Sequence, residues 1–317
     1  ACLVGSEMCI RDRIIPVVIA IVVVLVVAAY QISAGTIKKY SQNLLQSSVE
    51  NQASQIEAWL NENLASFQMA KTTIENLKPD DEELKTILDS YYGYNSNYPD
   101  GLYVADSTGQ LITASESTKK ESDVTNSTWY KEGLSRVNMA VGSAYQNADG
   151  VDVISASGIL NDGSDKVRVI SADMTLDRIA IIVNSFIEMN DAEAFLVDKT
   201  SGVILANRDS SLISQTLGAE GQSHFYQLTA EKAAEKDYNF ATLDGNMTVF
   251  QEVDGTNWLL VSYIPTSIVL SDLTQLRNIM IVISVICIAL LCVLIERVTH
   301  VAVSYTHLRA HETCADL

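Results

Sequence analysis

Cysteine is missing from the whole central part of this 317-residue chain. Cys2, Cys9 and Cys314 lie in the end segments, and Cys287 and Cys292 lie in a C-terminal apolar run. The stretch between them therefore holds neither a disulfide framework nor a thiolate zinc site. Histidine is almost as scarce. His224 stands alone in that stretch, so a histidine metal cluster or histidine acid–base catalysis has no constellation to rest on. No glycine-rich phosphate loop and no nucleophile elbow occurs. Positive charge is the third deficit: 21 Lys and Arg stand against 39 Asp and Glu, and the net charge of −18 belongs almost wholly to the middle of the chain. Such an acidic domain is a poor partner for nucleic acid or an anionic membrane surface. The sequence asks for no metal and no cofactor, and it offers no equipment for catalysis.

Apolar residues are plentiful, and they are unevenly placed. Ile14 to Ala29 reads IIPVVIAIVVVLVVAA and, extended to Ala34, reaches the ~20 residues that cross a bilayer. Ile279 to Ile295, IMIVISVICIALLCVLI, is a second such run. Segments 14–34 and 279–295 are read as transmembrane helices. Arg11 and Arg13 ahead of the first run suggest a signal peptide instead, but the run is too long for an h-region and helical spacing continues past it. A loop of roughly 240 residues between two spans translocates as a domain whatever its flanking charge, which places residues of about 35–278 outside the cytoplasm. The two ends, 1–13 (ACLVGSEMCIRDR) and 303–317 (VSYTHLRAHETCADL), resemble translated sequencing-adapter sequence. Both are expected to be foreign to the native gene product and are set aside from the fold.

From Thr36 to Leu77 the spacing is helical: Val49, Ile56, Trp59, Leu60, Phe67, Ile74 and Leu77 recur at three, four and seven. Pro79 and Asp80-Asp81 end it. A helix of about 40 residues is ~60 Å long, enough for a scaffold that packs on a core, for a signalling and dimerisation stalk, or for both. A second helix is predicted over Glu82–Tyr92, ending at Gly93, and the helical region as a whole covers 35–89. An internal repeat follows. LYVADSTGQLITA (Leu102 to Ala114) and AFLVDKTSGVILA (Ala194 to Ala206), about 92 positions apart, share one pattern of apolar strand, Asp, turn with Gly, and apolar strand. Tyr145 to Ser155, turning at Asp149-Gly150, parallels Phe240 to Gln251, turning at Asp244-Gly245. VRVISADMTLDRI parallels WLLVSYIPTSIVL. Three matched offsets point to an α/β fold of two modules of one design, 90–185 and 186–268. Each is an antiparallel sheet with flanking helices.

The first module concentrates the recognition chemistry. Trp129-Tyr130 opens it, Tyr145 follows in the second hairpin, and the β-rich run ends on Asp173. Three aromatics and a carboxylate on one face of a sheet suit a small, partly cationic ligand, held by cation–π contact and a charge-assisted hydrogen bond. Each residue also has a plainer role open to it. Trp129 is equally a core aromatic, Tyr145 a half-buried strand position, and Asp173 the cap of a helix starting near Thr175. Tyr103, on the first hairpin strand, could reach the same cavity.

The long helix, the doubled strand–Asp–turn–Gly–strand, the WY pair and WLLVSYIP before the second span together resemble the double Cache domain. That family is PAS-like in design and forms the extracellular sensor of bacterial chemoreceptors, sensor kinases and diguanylate cyclases. The resemblance covers about Ser33 to Leu276. It implies that the distal module binds ligand and the proximal one relays, through a small piston, tilt or rotation of the helices. It also implies a site. Trp129 and Tyr130 match the WY pair of amino-acid-binding members, Tyr145 the hairpin tyrosine, Asn147 the position of its nearby acid, and Asp173 the later acid. Ser127 stands where those members carry the arginine that clamps a carboxylate, and Ser122 where they carry a tyrosine. A serine cannot replace a bidentate guanidinium, so the resemblance favours an amine-like or other small polar ligand. The implied protein is a methyl-accepting chemotaxis protein. A diguanylate cyclase or histidine kinase sensor, or a membrane-anchored protein without signalling, remains the alternative. Its expected partners are a small extracellular ligand, the lipid bilayer, and a second copy through stalk and membrane helices.

Overall fold

The computed structural model describes residues 2–315 apart from 149, 186–188 and 190. The chain divides into a central unit, Gln42–Pro265, and a helical unit made of its two ends. Helix α1 (Cys2–Leu77) belongs to both. Within the central unit its apolar spacing becomes a buried edge, with Leu45, Val49, Ile56, Leu60, Phe67 and Ile74 all out of solvent. It stops where Lys78 turns into the left-handed region at φ 50° and Pro79 removes the next donor. Helix α2 (Asp81–Asp89) begins at once. Asp80 accepts hydrogen bonds from the Glu82 and Glu83 amides, and three acidic residues in the first turn suit the helix dipole. It is shorter than the sequence suggests: the Ser90 amide already folds back on the Ile87 carbonyl, and 90–94 are turns.

Two five-stranded antiparallel sheets follow. The first sheet comprises β1 (Leu102–Asp106), β2 (Leu111–Ile112), β3 (Ala140–Gln146), β4 (Asp152–Leu160) and β5 (Arg168–Thr175), with α3 (Thr128–Leu134) against it and α4 (Asp177–Val183) after it. The other comprises β6 (Glu193–Asp198), β7 (Ile204–Asn207), β8 (Ala241–Leu243), β9 (Asn246–Val253) and β10 (Trp258–Pro265), with α5 (His224–Ala234) between β7 and β8. The orders are β2-β1-β5-β4-β3 and β7-β6-β10-β9-β8. They are the same order, so all three pairs of matched segments occupy matched places. The last strand of each sheet lies at its centre, buried along most of its length.

The repeated aspartate proves to be turn chemistry. Asp106 accepts from the amides of Thr108 and Gln110, and Asp198 from those of Thr200 and Ser201. The Asp244-Gly245 turn has φ of 46° and 78°, the pair of left-handed residues that a tight hairpin of this hand requires. Its counterpart Asp149 lies outside the described residues. Asp106 is fully buried and bonded to Lys166 at 2.5 Å. Burial raises its carboxyl, but hydrogen bonds from Lys166, Thr108 and Gln110 outweigh this and hold it at about 2. A carboxyl held below its ordinary value contributes stability above about pH 4 that is lost as the pH falls toward 2. Because Lys166 is half in solvent, we expect on the order of 1–2 kcal/mol rather than the full shift. Urea midpoints at pH 5, 3.5 and 2.5 should fall more steeply for the wild type than for Asp106→Asn. Parallel slopes for the two would count against this role.

In the helical unit, α1 is followed at the far end of the chain by α6 (Thr266–Val269) and α7 (Ser271–Ala315). Two segments, within Ile15–Leu77 and Leu273–Val298, are long and apolar enough to cross a membrane, and no part of either apolar window is buried in the structure.

Candidate ligand-binding site

The centre of the first sheet fixes the site. On β5 alternate residues share a face, so Val169, Ser171 and Asp173 look the same way. Strand register adds the neighbours: Ser155 of β4 is directly opposite Asp173, and Tyr103 of β1 is opposite Ser171. Tyr103 is thus the diagonal neighbour of Asp173, within reach of a long ring. On β3, Tyr145 pairs with Val153 and is diagonal to Ser155. Two tyrosines and a serine from three strands converge on one carboxylate.

Asp173 is 4 % exposed. Its Oδ1 accepts from the hydroxyls of Ser155 at 2.5 Å, Tyr103 at 2.6 Å and Tyr145 at 3.1 Å. Its Oδ2 accepts from the Lys119 ammonium at 2.5 Å, and that ammonium also lies 4.3 Å from the centroid of the Tyr103 ring. A buried carboxylate is tolerable only with this kind of full satisfaction. Burial first, and the Asp173 charge second, push the phenols of Tyr103 and Tyr145 well up, so both remain donors.

Trp129 stands edge-on to Tyr103 at 4.9 Å and is itself fully buried. Its indole N–H donates to Glu121 at 2.9 Å. Burial raises the Glu121 carboxyl, while the Trp129 hydrogen bond and the charge of Lys119 oppose the rise. Beside this cluster opens a cleft of about 250 Å³, lined by Lys119, Glu121, Ser127, Tyr145 and Asn147 among others. Its walls carry the Lys119 and Lys120 side chains, the Glu121 carboxyl and the Tyr145 ring.

The structure thus brings Tyr103, Tyr145 and Asp173 into direct contact. Trp129 backs Tyr103 and belongs to the core cluster with it, so the core and site roles coincide. Tyr130 is buried edge-on to Trp129 at 5.7 Å and contributes through that ring. Asn147 lines the cleft and accepts from the Val151 amide, bracing the β3–β4 turn. Ser127 also lines it, its hydroxyl donating to the Val124 carbonyl. The helix-capping role for Asp173 is overturned. Strand pairing carries β5 on to Thr175, and α4 starts only at Asp177 with Leu176 in the cap position. Lys119, Glu121 and Ser155 were not foreseen. The Lys119-Lys120 pair in an acidic domain was the available signal for the first; Ser155 becomes visible only with the register.

The second sheet answers differently at the same positions. Aspartates 106 and 198 pair with Arg168 and Trp258, so Tyr263 occupies the place of Asp173, Phe195 that of Tyr103 and Thr248 that of Ser155. Tyr263 packs on Phe225 at 4.4 Å and Phe195 at 6.4 Å and donates to Glu193. Rings fill what the first sheet keeps polar. Among the described residues no group of His, Cys, Asp and Glu could hold a metal ion.

The sequence model of the Cache domain matches residues 29–273. The chain belongs to the Cache domain family. Solved structures of similar fold are ligand-binding domains of chemoreceptors. One is from Pseudomonas fluorescens CtaA with L-isoleucine, at 20% identity and TM-score 0.59, covering 75% of this chain and 98% of that one. Another is from Pseudomonas aeruginosa PctC with GABA, at 20% identity and TM-score 0.58, covering 71% and 99%. A third is from a Campylobacter jejuni chemoreceptor with L-norvaline, at 17% identity and TM-score 0.59, covering 74% and 94%. No curated protein sequence matches the chain. The Cache assignment fits the paired sheets of identical order and the long helix α1.

Proposed function

We propose that this Cache domain is the extracytoplasmic, ligand-sensing part of a bacterial two-span chemoreceptor, and that its distal module binds a small amine-bearing ligand at Asp173. The buried carboxylate carries this reading, because its Oδ2 is matched to an ammonium lying over the Tyr103 ring. Charge-assisted hydrogen bonding and cation–π attraction are the two interactions that select an amine. The acidic domain favours cations and disfavours anions as ligands. The isoleucine, GABA and norvaline held by the similar domains all carry an amino group.

The two sheets are PAS-like modules with divided labour. The aromatic fill at Tyr263 supports a relaying role for the proximal one. The apolar windows of α1 and α7 cross the bilayer, and lipid and a second copy of the chain cover surface that one chain leaves open. The segment Ser33–Leu276 is expected to fold alone and to be soluble, since its sheets supply their own cores. A thermal-shift screen of that segment with amines, amino acids and organic acids tests the proposal. Amine-bearing compounds should raise the midpoint. Stabilisation confined to dicarboxylic acids would defeat it.

A further inference from the structure

We infer that the Lys119 ammonium is the chain's own occupant of the amine position on Asp173, and that an amine-bearing ligand binds by exchanging with it. The inference rests on the amine reading above and adds a specificity-determining residue to it. The Lys119 side chain is only 8 % exposed and makes both contacts that a ligand ammonium would make, to Asp173 and to the Tyr103 ring. It is carried by the irregular segment 113–123, not by a strand, so it can leave without breaking a sheet ladder. Its four-carbon stem can swing the ammonium out to water, where that group is best hydrated.

Exchange of one ammonium for another is the physically cheap route into this site. In both end states the buried Asp173 holds a cation, so the exchange avoids a bound or free state with an unpaired carboxylate, the situation that costs most in a desolvated pocket. The three hydroxyl donors on Oδ1 stay in place throughout. Affinity for an amine is then the difference between two similar interactions. Lys119 lowers that affinity, and the released side chain reports binding. Neighbouring Lys120 also lines the cleft but is exposed, which makes it an internal reference.

The test uses the full chain in detergent micelles and n-butylammonium, a free equivalent of the lysine terminus. Intrinsic tryptophan fluorescence and the thermal midpoint are read at constant ionic strength. Lys119→Ala should bind n-butylammonium about tenfold or more tightly than wild type, a difference of about 1.4 kcal/mol or more. The Lys119→Ala/Asp173→Asn double variant should lose that response. Equal binding by wild type and Lys119→Ala would overturn the exchange and leave Asp173 standing as an amine site. No response in either protein would overturn both. A second measurement needs no variant. In the wild type, Lys119 should acetylate far more slowly than Lys120, and addition of trimethylammonium should accelerate Lys119 several-fold. A Lys119 rate that matches Lys120 from the start, or that trimethylammonium leaves unchanged, would contradict the exchange.

Discussion

Replacing Asp173 with alanine is expected to destabilise the central unit by on the order of 3–5 kcal/mol, as for a buried ion pair deprived of one partner. The removed carboxylate is the common acceptor of Ser155, Tyr103 and Tyr145 and the ion-pair partner of Lys119, whose side chain is 8 % exposed. Alanine takes the shared acceptor from the Tyr103, Tyr145 and Ser155 hydroxyls and leaves a cation buried beside a tyrosine ring. Asp173→Asn should cost less, on the order of 1–3 kcal/mol, because its carbonyl still receives the hydroxyls while the charge is lost. Urea unfolding of both variants gives the comparison. If alanine lies within about 0.5 kcal/mol of wild type, the carboxylate is not the hub of the cluster. For a cationic ligand the loss of this charge should weaken binding by about 2–4 kcal/mol, or roughly 30- to 1,000-fold.

The second large effect lies on the opposite face of the same strand. Arg168 is buried at the start of β5 and pairs with Asp162 at 2.8 Å and with Asp81 in the first turn of α2. Burial lowers the guanidinium, but the hydrogen bonds and charges of these two acids outweigh that and raise it. The pairing ties the central strand to α2 and to the turn before β5. Arg168→Ala leaves Asp162, whose side chain is 2 % exposed, without its cation, so a loss on the order of 3–5 kcal/mol is expected. Arg168→Lys keeps the charge but not the two-pronged geometry and should fall between. Adding Asp162→Asn to Arg168→Ala should recover part of the loss, since the stranded charge is then gone. Because Asp173 faces the other way, ligand affinity should survive in whatever fraction stays folded. A double variant no more stable than Arg168→Ala would show that packing, not charge, sets the cost.

Periodicity made much of this architecture legible before any coordinates. The long helix announced itself through Val49, Ile56, Leu60, Phe67 and Ile74, all of which prove buried. The repeat announced itself through turn residues, and Asp106 and Asp198 do the same local work in both sheets. Boundaries set by single hydrogen bonds were harder to see. Helix α2 ends at Asp89 because the next amide turns back, which no apolar pattern records. The site was half visible. Tyr103, Tyr145 and Asp173 stood out by residue type, whereas Ser155 depends on which residue faces which across β4 and β5. Lys119 depends on the path of an irregular segment, and sequence spacing carries no information about where such a path leads. The capping role open to Asp173 fails for a related reason: pairing with β4 as far as Thr175 holds β5 extended for two residues more than local preference suggests.

Calorimetric titration of the Ser33–Leu276 segment is the most direct test of Asp173 as an amine site. The ligand would be the most stabilising amine from the thermal screen, titrated into wild type and into Asp173→Asn after circular dichroism has shown both folded. Binding to wild type that weakens at least roughly 30-fold in Asp173→Asn is the expected outcome. Equal affinity in the two proteins, or tight wild-type binding of a dicarboxylate that lacks an amino group, would contradict it.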